Sequence, residues 1–202
     1  MLRNTGERWG SVQIALHWMV AGLILLVQLP AAWTMVSVGP GALQNFCYNL
    51  HKNVGLIVFL LAIGRLAWRW AHPVPVLPSD LPGWQAAAAR TTHVLLYALL
   101  FAMPISGFLY TAKGGFPVPF LMIWDLSKLV TVDKPAAETW KAVHLTLQWL
   151  LYLTVALHVA GALQHHLVRK DWVLRRMLSS REPLPTAAAR GTAMLGDRPA
   201  SR

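Results

Sequence analysis

Apolar residues crowd into four stretches of this 202-residue chain, and most charged positions fall between them. The first uncharged stretch runs from Ser11 to His51, is broken by Gly39, Pro40 and Gly41, and leaves one span at about residues 13–36. The others lie at about 49–68, 92–112 and 142–168. A helix needs about 20 apolar residues to cross the hydrocarbon of a bilayer, and each stretch is near that length. The pattern predicts an all-α fold: an integral membrane four-helix bundle occupying residues 1–178. The first stretch is too long for a cleaved signal peptide and contains Gln13, His17 and Trp18, so it reads as a retained span.

The connections carry their own signals. "AHPVPVLPSDLPGWQ", between spans two and three, is too rich in proline to form a long helix. Between spans three and four, "FPVPFLMIWDLSKL" sets Phe116, Phe120 and Trp124 four residues apart, which predicts an interfacial helix lying on the headgroups. Residues 179–202 lack aromatics and hold Pro, Ala, Gly and Arg, the pattern of a disordered basic tail. There is no internal repeat, no phosphate-binding glycine motif, and no extramembrane segment long enough for a separate catalytic domain.

Composition agrees with the membrane class: 55% of residues are hydrophobic and 13% charged, and ten are tryptophan. The one cysteine, Cys47, allows no disulfide within the chain, and the absence of a CxxCH motif excludes covalent c-type haem attachment. Thirteen of the eighteen basic residues, including all twelve arginines, fall on one side of the predicted membrane. The positive-inside rule therefore puts both termini in the cytoplasm. The net charge of +10 is mostly this topology signal and a match to anionic lipid, not a nucleic-acid surface.

Histidine inside the spans changes the picture, because an imidazole in hydrocarbon costs several kcal/mol unless something takes up its nitrogens. His17 lies about one turn into span one, near the cytoplasmic side. His51 opens span two and His144 opens span four, both on the outer side. His158 follows His144 by 14 residues, roughly 21 Å deeper and about 40° from the same helix face. Depth sorts the four into His17 with His158 at the inner level and His51 with His144 at the outer.

Structural zinc takes four converging ligands and catalytic zinc three, so two histidines per level satisfy neither alone. An iron porphyrin takes one axial ligand on each face, and its apolar ring replaces side-chain packing in a bundle core. With both axial positions filled, electron transfer is the remaining chemistry. Arg65 follows His51 by the same 14-residue interval. It is placed either to meet a haem propionate or to snorkel to the inner interface. Gly55 and Gly161 either give a flat ring room or allow close helix packing. The bland alternative has each histidine bonded to a neighbouring helix.

The motifs resemble the bacterial cytochrome b561 family, di-haem four-helix quinone-linked cytochromes. "VQIALHW" resembles its first span, "HKNVGLIVFLLAIGRLAWR" its second, "THVLLYALLFAMPISGFLY" its third and "WKAVHLTLQWLLYLTVALHVAGALQHHLVRKD" its fourth. The resemblance runs from about Arg8 to Met177. It implies two haem b groups with His17, His51, His144 and His158 as iron ligands. It also implies ubiquinone or another quinone as substrate, and residence in the bacterial inner membrane. A similar-sized member type is a superoxide oxidase that passes electrons from superoxide outside to ubiquinone. His165 matches a family histidine near the quinone pocket, though a water-exposed interfacial histidine such as His166 looks no different in sequence. His93 opens span three, where the family also places a histidine beside the inner pair or the quinone. His72, in the proline-rich connection, is given no role.

Three functions follow from these readings. The first is a superoxide:ubiquinone oxidoreductase, with Lys113, Lys128, Lys134 and Lys141 outside to steer an anion against Asp125, Asp133 and Glu138. The second is a cytochrome b relay subunit between quinone and a periplasmic dehydrogenase or soluble cytochrome. The third, a transporter using histidines as proton relays, requires a protein without haem.

Overall fold

The computed structural model describes residues 1–78, 80–121 and 123–179; the expectation for residues 180–202 lies outside the described residues. Four helices long and apolar enough to cross a membrane span Ser11–Ser37, Ala42–Ala71, Gly83–Lys113 and Lys134–Arg169. The first comprises α1 (Ser11–Gly22), a π-helical turn (Leu23–Gln28) and α2 (Leu29–Ser37). Pro30 offers no N–H to the carbonyl one turn back and its ring crowds that carbonyl, and a widened turn just before it relieves both. The second and third are α3 (Ala42–Ala71) and α4 (Gly83–Lys113). The fourth is α5 (Lys134–Leu163) followed by a second π-helical turn, Gln164–Arg169.

Each helix outruns its apolar stretch, because helical hydrogen bonding does not stop where the hydrocarbon does. The early start is most marked in α4, which begins at Gly83 inside the proline-rich segment. The five prolines at 73, 75, 78, 82 and 104 explain where it starts: Pro82 immediately precedes the helix, and only Pro104 is tolerated within it. α5 starts more conventionally, with the Asp133 carboxylate accepting from the Ala136 N–H at 3.0 Å and Pro135 in the first turn.

Helices α4 and α5 pack along each other, and α3 lies against α1, α2 and α4. The buried core of Val20, Val54, Val58, Ala62 and Leu100 sits where α1, α3 and α4 meet. Most other large apolar side chains face outward, among them Leu26, Trp33, Trp70 and Trp149, each at least 70% exposed to what is lipid in a membrane.

The connection between α4 and α5 overturns the interfacial-helix expectation. Residues Pro119–Phe120 (β1) pair antiparallel with Trp124–Asp125 (β2), and a 3-10 turn, Leu126–Leu129, follows. Pro117 and Pro119 remove two of the N–H groups a helix would need, and Leu121 takes a left-handed φ of 51° at the turn. Asp125 fastens this hairpin: its Oδ1 accepts from the Ser127 hydroxyl at 2.7 Å, the Val118 N–H at 3.0 Å and the Ser127 N–H at 3.1 Å. The hairpin is held against α3, where Lys52 donates to the Pro117 carbonyl at 2.8 Å and the Leu121 N–H donates to Asn53 Oδ1 at 2.8 Å.

At the opposite end the N-terminal segment, α6 (Arg175–Leu178) and the α3–α4 connection tie together. Val76 donates to the Gly6 carbonyl at 3.0 Å. Arg176, in α6 (Arg175–Leu178), donates to the Glu7 and Val76 carbonyls at 3.3 and 3.1 Å. The Trp18 indole donates to the Met177 carbonyl at 2.6 Å. The bundle thus has a hairpin end and a terminal end.

Candidate functional site

Three of the four spanning helices bring His17, His51, His144 and His158 into two pairs. Towards the hairpin end, His51 from α3 and His144 from α5 have ring centroids 6.3 Å apart. Towards the terminal end, His17 from α1 and His158 from α5 have centroids 6.0 Å apart. No pair is close enough for one imidazole to hydrogen-bond the other.

Whether these residues fit a haem can be tested on that spacing. A nitrogen lies about 1.1 Å from the centre of an imidazole ring and metal–nitrogen bonds are about 2.0–2.1 Å, so two imidazoles on opposite sides of one ion have centroids roughly 6.3 Å apart. Both pairs match. Polar satisfaction agrees: His17 Nδ1 and His51 Nδ1 are buried without a partner, and among the described residues no hydrogen bond reaches the imidazole of His17, His51 or His158. The bland alternative, each histidine bonded to a neighbouring helix, therefore fails for three of the four. Among the described residues no group of three or more histidine, cysteine or carboxylate side chains converges on one point, so a zinc-like cluster is not present there.

His144 is the exception and is informative. Its Nδ1 lies 3.1 Å from the Met103 carbonyl and 3.0 Å from Ser106 Oγ, while the Ser106 hydroxyl itself donates to Met103 at 2.9 Å. Those acceptors fix the proton on Nδ1 and leave Nε2 with its lone pair for a metal, the arrangement that orients ligating histidines generally. Gly107 makes this approach possible, since a Cβ there would stand 2.9 Å from His144 Cε1. On the other side, the Gln28 amide, delivered by the first π-helical turn, donates to the His51 carbonyl at 3.0 Å. A Cβ at Gly55 would stand 3.2 Å from Gln28 Nε2, whereas one at Gly161 would meet nothing within 4 Å. Close packing accounts for Gly55; at Gly161 there is room for a flat group. Ser106 and Gln28 were not singled out in the sequence, and a serine or glutamine inside an apolar span was the available signal.

Arg65 lies in α3 within electrostatic reach of His17, His93 and His158, with its guanidinium carbon 5.6 Å from the centroid of the Tyr97 ring. Its buried Nε has no partner among the described residues, which suits an anion such as a carboxylate better than a snorkelling side chain. His93 is nearly three turns into α4, not at its start, and its ring centroid is 5.4 Å from that of His158. Beside it, Leu66, Arg69, Arg90, His93, Val94 and Tyr97 line a cleft of about 400 Å³. His165, in the second π-helical turn, bonds Asp171, with Nδ1 to Oδ2 at 2.6 Å. His72 stacks on Trp68 and bonds its carbonyl at 2.9 Å, a local role at the end of α3.

A bundle of four apolar helices holding histidine pairs at two levels defines an intramembrane electron-transfer protein of the haem-binding class. The model of the prokaryotic cytochrome b561 family matches residues 8–180. Cytochrome b561 homolog 2 of Escherichia coli K12 is 32% identical over 176 residues, covering 87% of this chain and 93% of that protein. A probable superoxide oxidase, CybB, of Yersinia pestis is 28% identical, covering 85% of this chain and 96% of that protein. Cytochrome b562 of Cereibacter sphaeroides is 30% identical, covering 84% of this chain and 94% of that protein. The chain belongs to the prokaryotic cytochrome b561 family. It is a multi-pass protein of the bacterial inner membrane that takes part in membrane electron transfer, and its family implies b-type haem.

Proposed function

We propose that residues 1–178 form one di-haem domain that carries electrons from a donor at the periplasmic face to the quinone pool, with superoxide as donor and ubiquinone as acceptor. The terminal end faces the cytoplasm in this reading, as the clustering of arginine there requires. One observation carries it: two imidazole pairs, with centroids 6.3 and 6.0 Å apart, each with one member from α5. His51 and His144 would hold the outer haem, His17 and His158 the inner. Each group, when bound, would supply reversible one-electron chemistry.

What the protein contributes is position and charge. The Met103 carbonyl and Ser106 keep the His144 proton on Nδ1, so Nε2 is always available. The Arg65 guanidinium would offset a propionate at the inner level. At the outer face Lys52 and the lysines at 113, 128, 134 and 141 attract an anion, while Asp125 and Asp133 are engaged with backbone N–H groups. The likeness to the probable superoxide oxidase of Yersinia pestis favours superoxide.

The relay-subunit alternative draws on a different observation. Leu121, Ile123, Trp124 and Leu129 on the outer hairpin turn are 51–77% exposed, a surface a protein donor could cover. A rapid-mixing experiment decides between them. Superoxide added to oxidised protein with ubiquinone is expected to reduce the haem absorption and then yield quinol. Haem that is reduced only by a protein donor, and not by superoxide, contradicts the superoxide reading.

A further inference from the structure

We propose that the cleft between α3 and α4 at the terminal end binds the headgroup of an anionic phospholipid from the adjacent leaflet, the inner one in the orientation given above. Arg69 and Arg90 hold its phosphodiester, and Leu66 and Val94 take the start of an acyl chain. The cleft encloses about 400 Å³, room for a headgroup and the first carbons behind it.

Its lining changes character with depth. α3 runs towards the terminal end, so Leu66 lies about one turn nearer the middle of the membrane than Arg69. α4 runs the other way, so Val94 lies about one turn, and Tyr97 about two turns or roughly 10 Å, nearer the middle than Arg90. Both helices therefore place a guanidinium at the rim and carbon further in, which is how a phospholipid of that leaflet is arranged. Trp70 and Trp84, on the same two helices and 79% and 71% exposed, mark the headgroup level on either side.

Charge points the same way. Neither Arg69 nor Arg90 has a hydrogen bond or a salt bridge among the described residues. The aspartates at this end are already engaged: Arg169 lies 2.6 Å from Asp80 and 3.4 Å from Asp171. Arg69 is held by aromatic rings, with its guanidinium carbon 5.9 Å from the Tyr97 centroid and 6.0 Å from that of Trp9. Ring faces steady the cation and leave its N–H groups for an anion. Two such cations beside an apolar wall attract a phosphate, which guanidinium meets with paired hydrogen bonds. Arg65 is about one turn deeper and does not line the cleft, so its proposed propionate role is separate.

The test uses full-length, haem-loaded protein in mild detergent, with lipid binding read by native mass spectrometry. Wild type is expected to keep one phosphatidylglycerol under conditions that strip phosphatidylcholine. Arg69→Gln and Arg90→Gln should each weaken phosphatidylglycerol binding about tenfold, the scale of one charge-assisted hydrogen bond. The double variant should bind the two lipids alike. Val94→Trp, which fills the apolar wall and spares both guanidiniums, should also lose the lipid. Arg175→Gln, at the same end but stacked on Trp172 away from the cleft, should bind as wild type does. Haem content, measured as pyridine haemochrome, should match wild type in every variant. Equal retention of the two lipids by wild type would overturn the proposal, as would a phosphatidylglycerol preference that survives in the double variant. Inorganic phosphate that competes as tightly as the lipid would make this a site for the free anion. Haem lost together with the two charges would mean that they hold a propionate instead. If the double variant does not accumulate, undiminished phosphatidylglycerol binding in Val94→Trp overturns the lipid assignment alone.

Discussion

Gly107 sets how close α4 can come to the His144 ring. A methyl group there would lie 2.9 Å from Cε1, and the ring cannot swing away freely because Met103 and Ser106 hold its Nδ1. Gly107→Ala must therefore either break those hydrogen bonds, each worth about 1 kcal/mol, or push the helices apart. We expect it to lower haem from about two to about one per polypeptide by selective loss at the outer level, measured as pyridine haemochrome. Undiminished haem with an unchanged spectrum would show that the ring position is not critical. At this scale much was readable in advance. The 14-residue interval from His144 to His158, with the alternating direction of the spans, sorts the four histidines by depth without any coordinates. What Ser106 and Gln28 touch was not readable, because His144 and His51 lie on other helices and a serine can also satisfy itself on its own helix, as Ser106 does at Met103.

Among the elements, the outer hairpin is held by one carboxylate. The Ser127 hydroxyl, then the Val118 and Ser127 N–H groups, hold Asp125 below the usual carboxylate range. A depressed folded pKa means that the hairpin's contribution is present in full above the ordinary value near 3.8 and is lost as pH falls through the lower, folded value. Emission from Trp124, which is 60% exposed, should accordingly hold steady from neutral pH down to the ordinary carboxylate range and change only below it. Asp125→Ala should show the altered emission already at neutral pH. An emission change centred above pH 5 would contradict this. The hairpin was misread in the sequence because aromatic residues at 116, 120 and 124 mimic a helical period, while Pro117 and Pro119 between them forbid the helix. The same weighting of hydropathy over backbone chemistry placed the start of α4 too late. It left His93 at a helix end, whereas the helix carries it beside His158.

For the whole molecule, the four-span architecture was legible because lipid imposes lengths and composition that few other environments do. The reversal of the chain after the last span, which bonds His165 to Asp171, was not, since a π-helical turn and a left-handed lysine leave no mark in hydropathy. The account stands on two separate metal-binding levels sharing α5, and haem counting in single-histidine variants tests that most directly. Purified wild type is expected to carry two b haems per polypeptide. His51→Ala should lose the outer group alone and His158→Ala the inner alone, each leaving about one haem with a distinct reduced spectrum and potential. If the two substitutions empty the same site, or if wild type binds a single haem that either one abolishes, the two-level arrangement is contradicted.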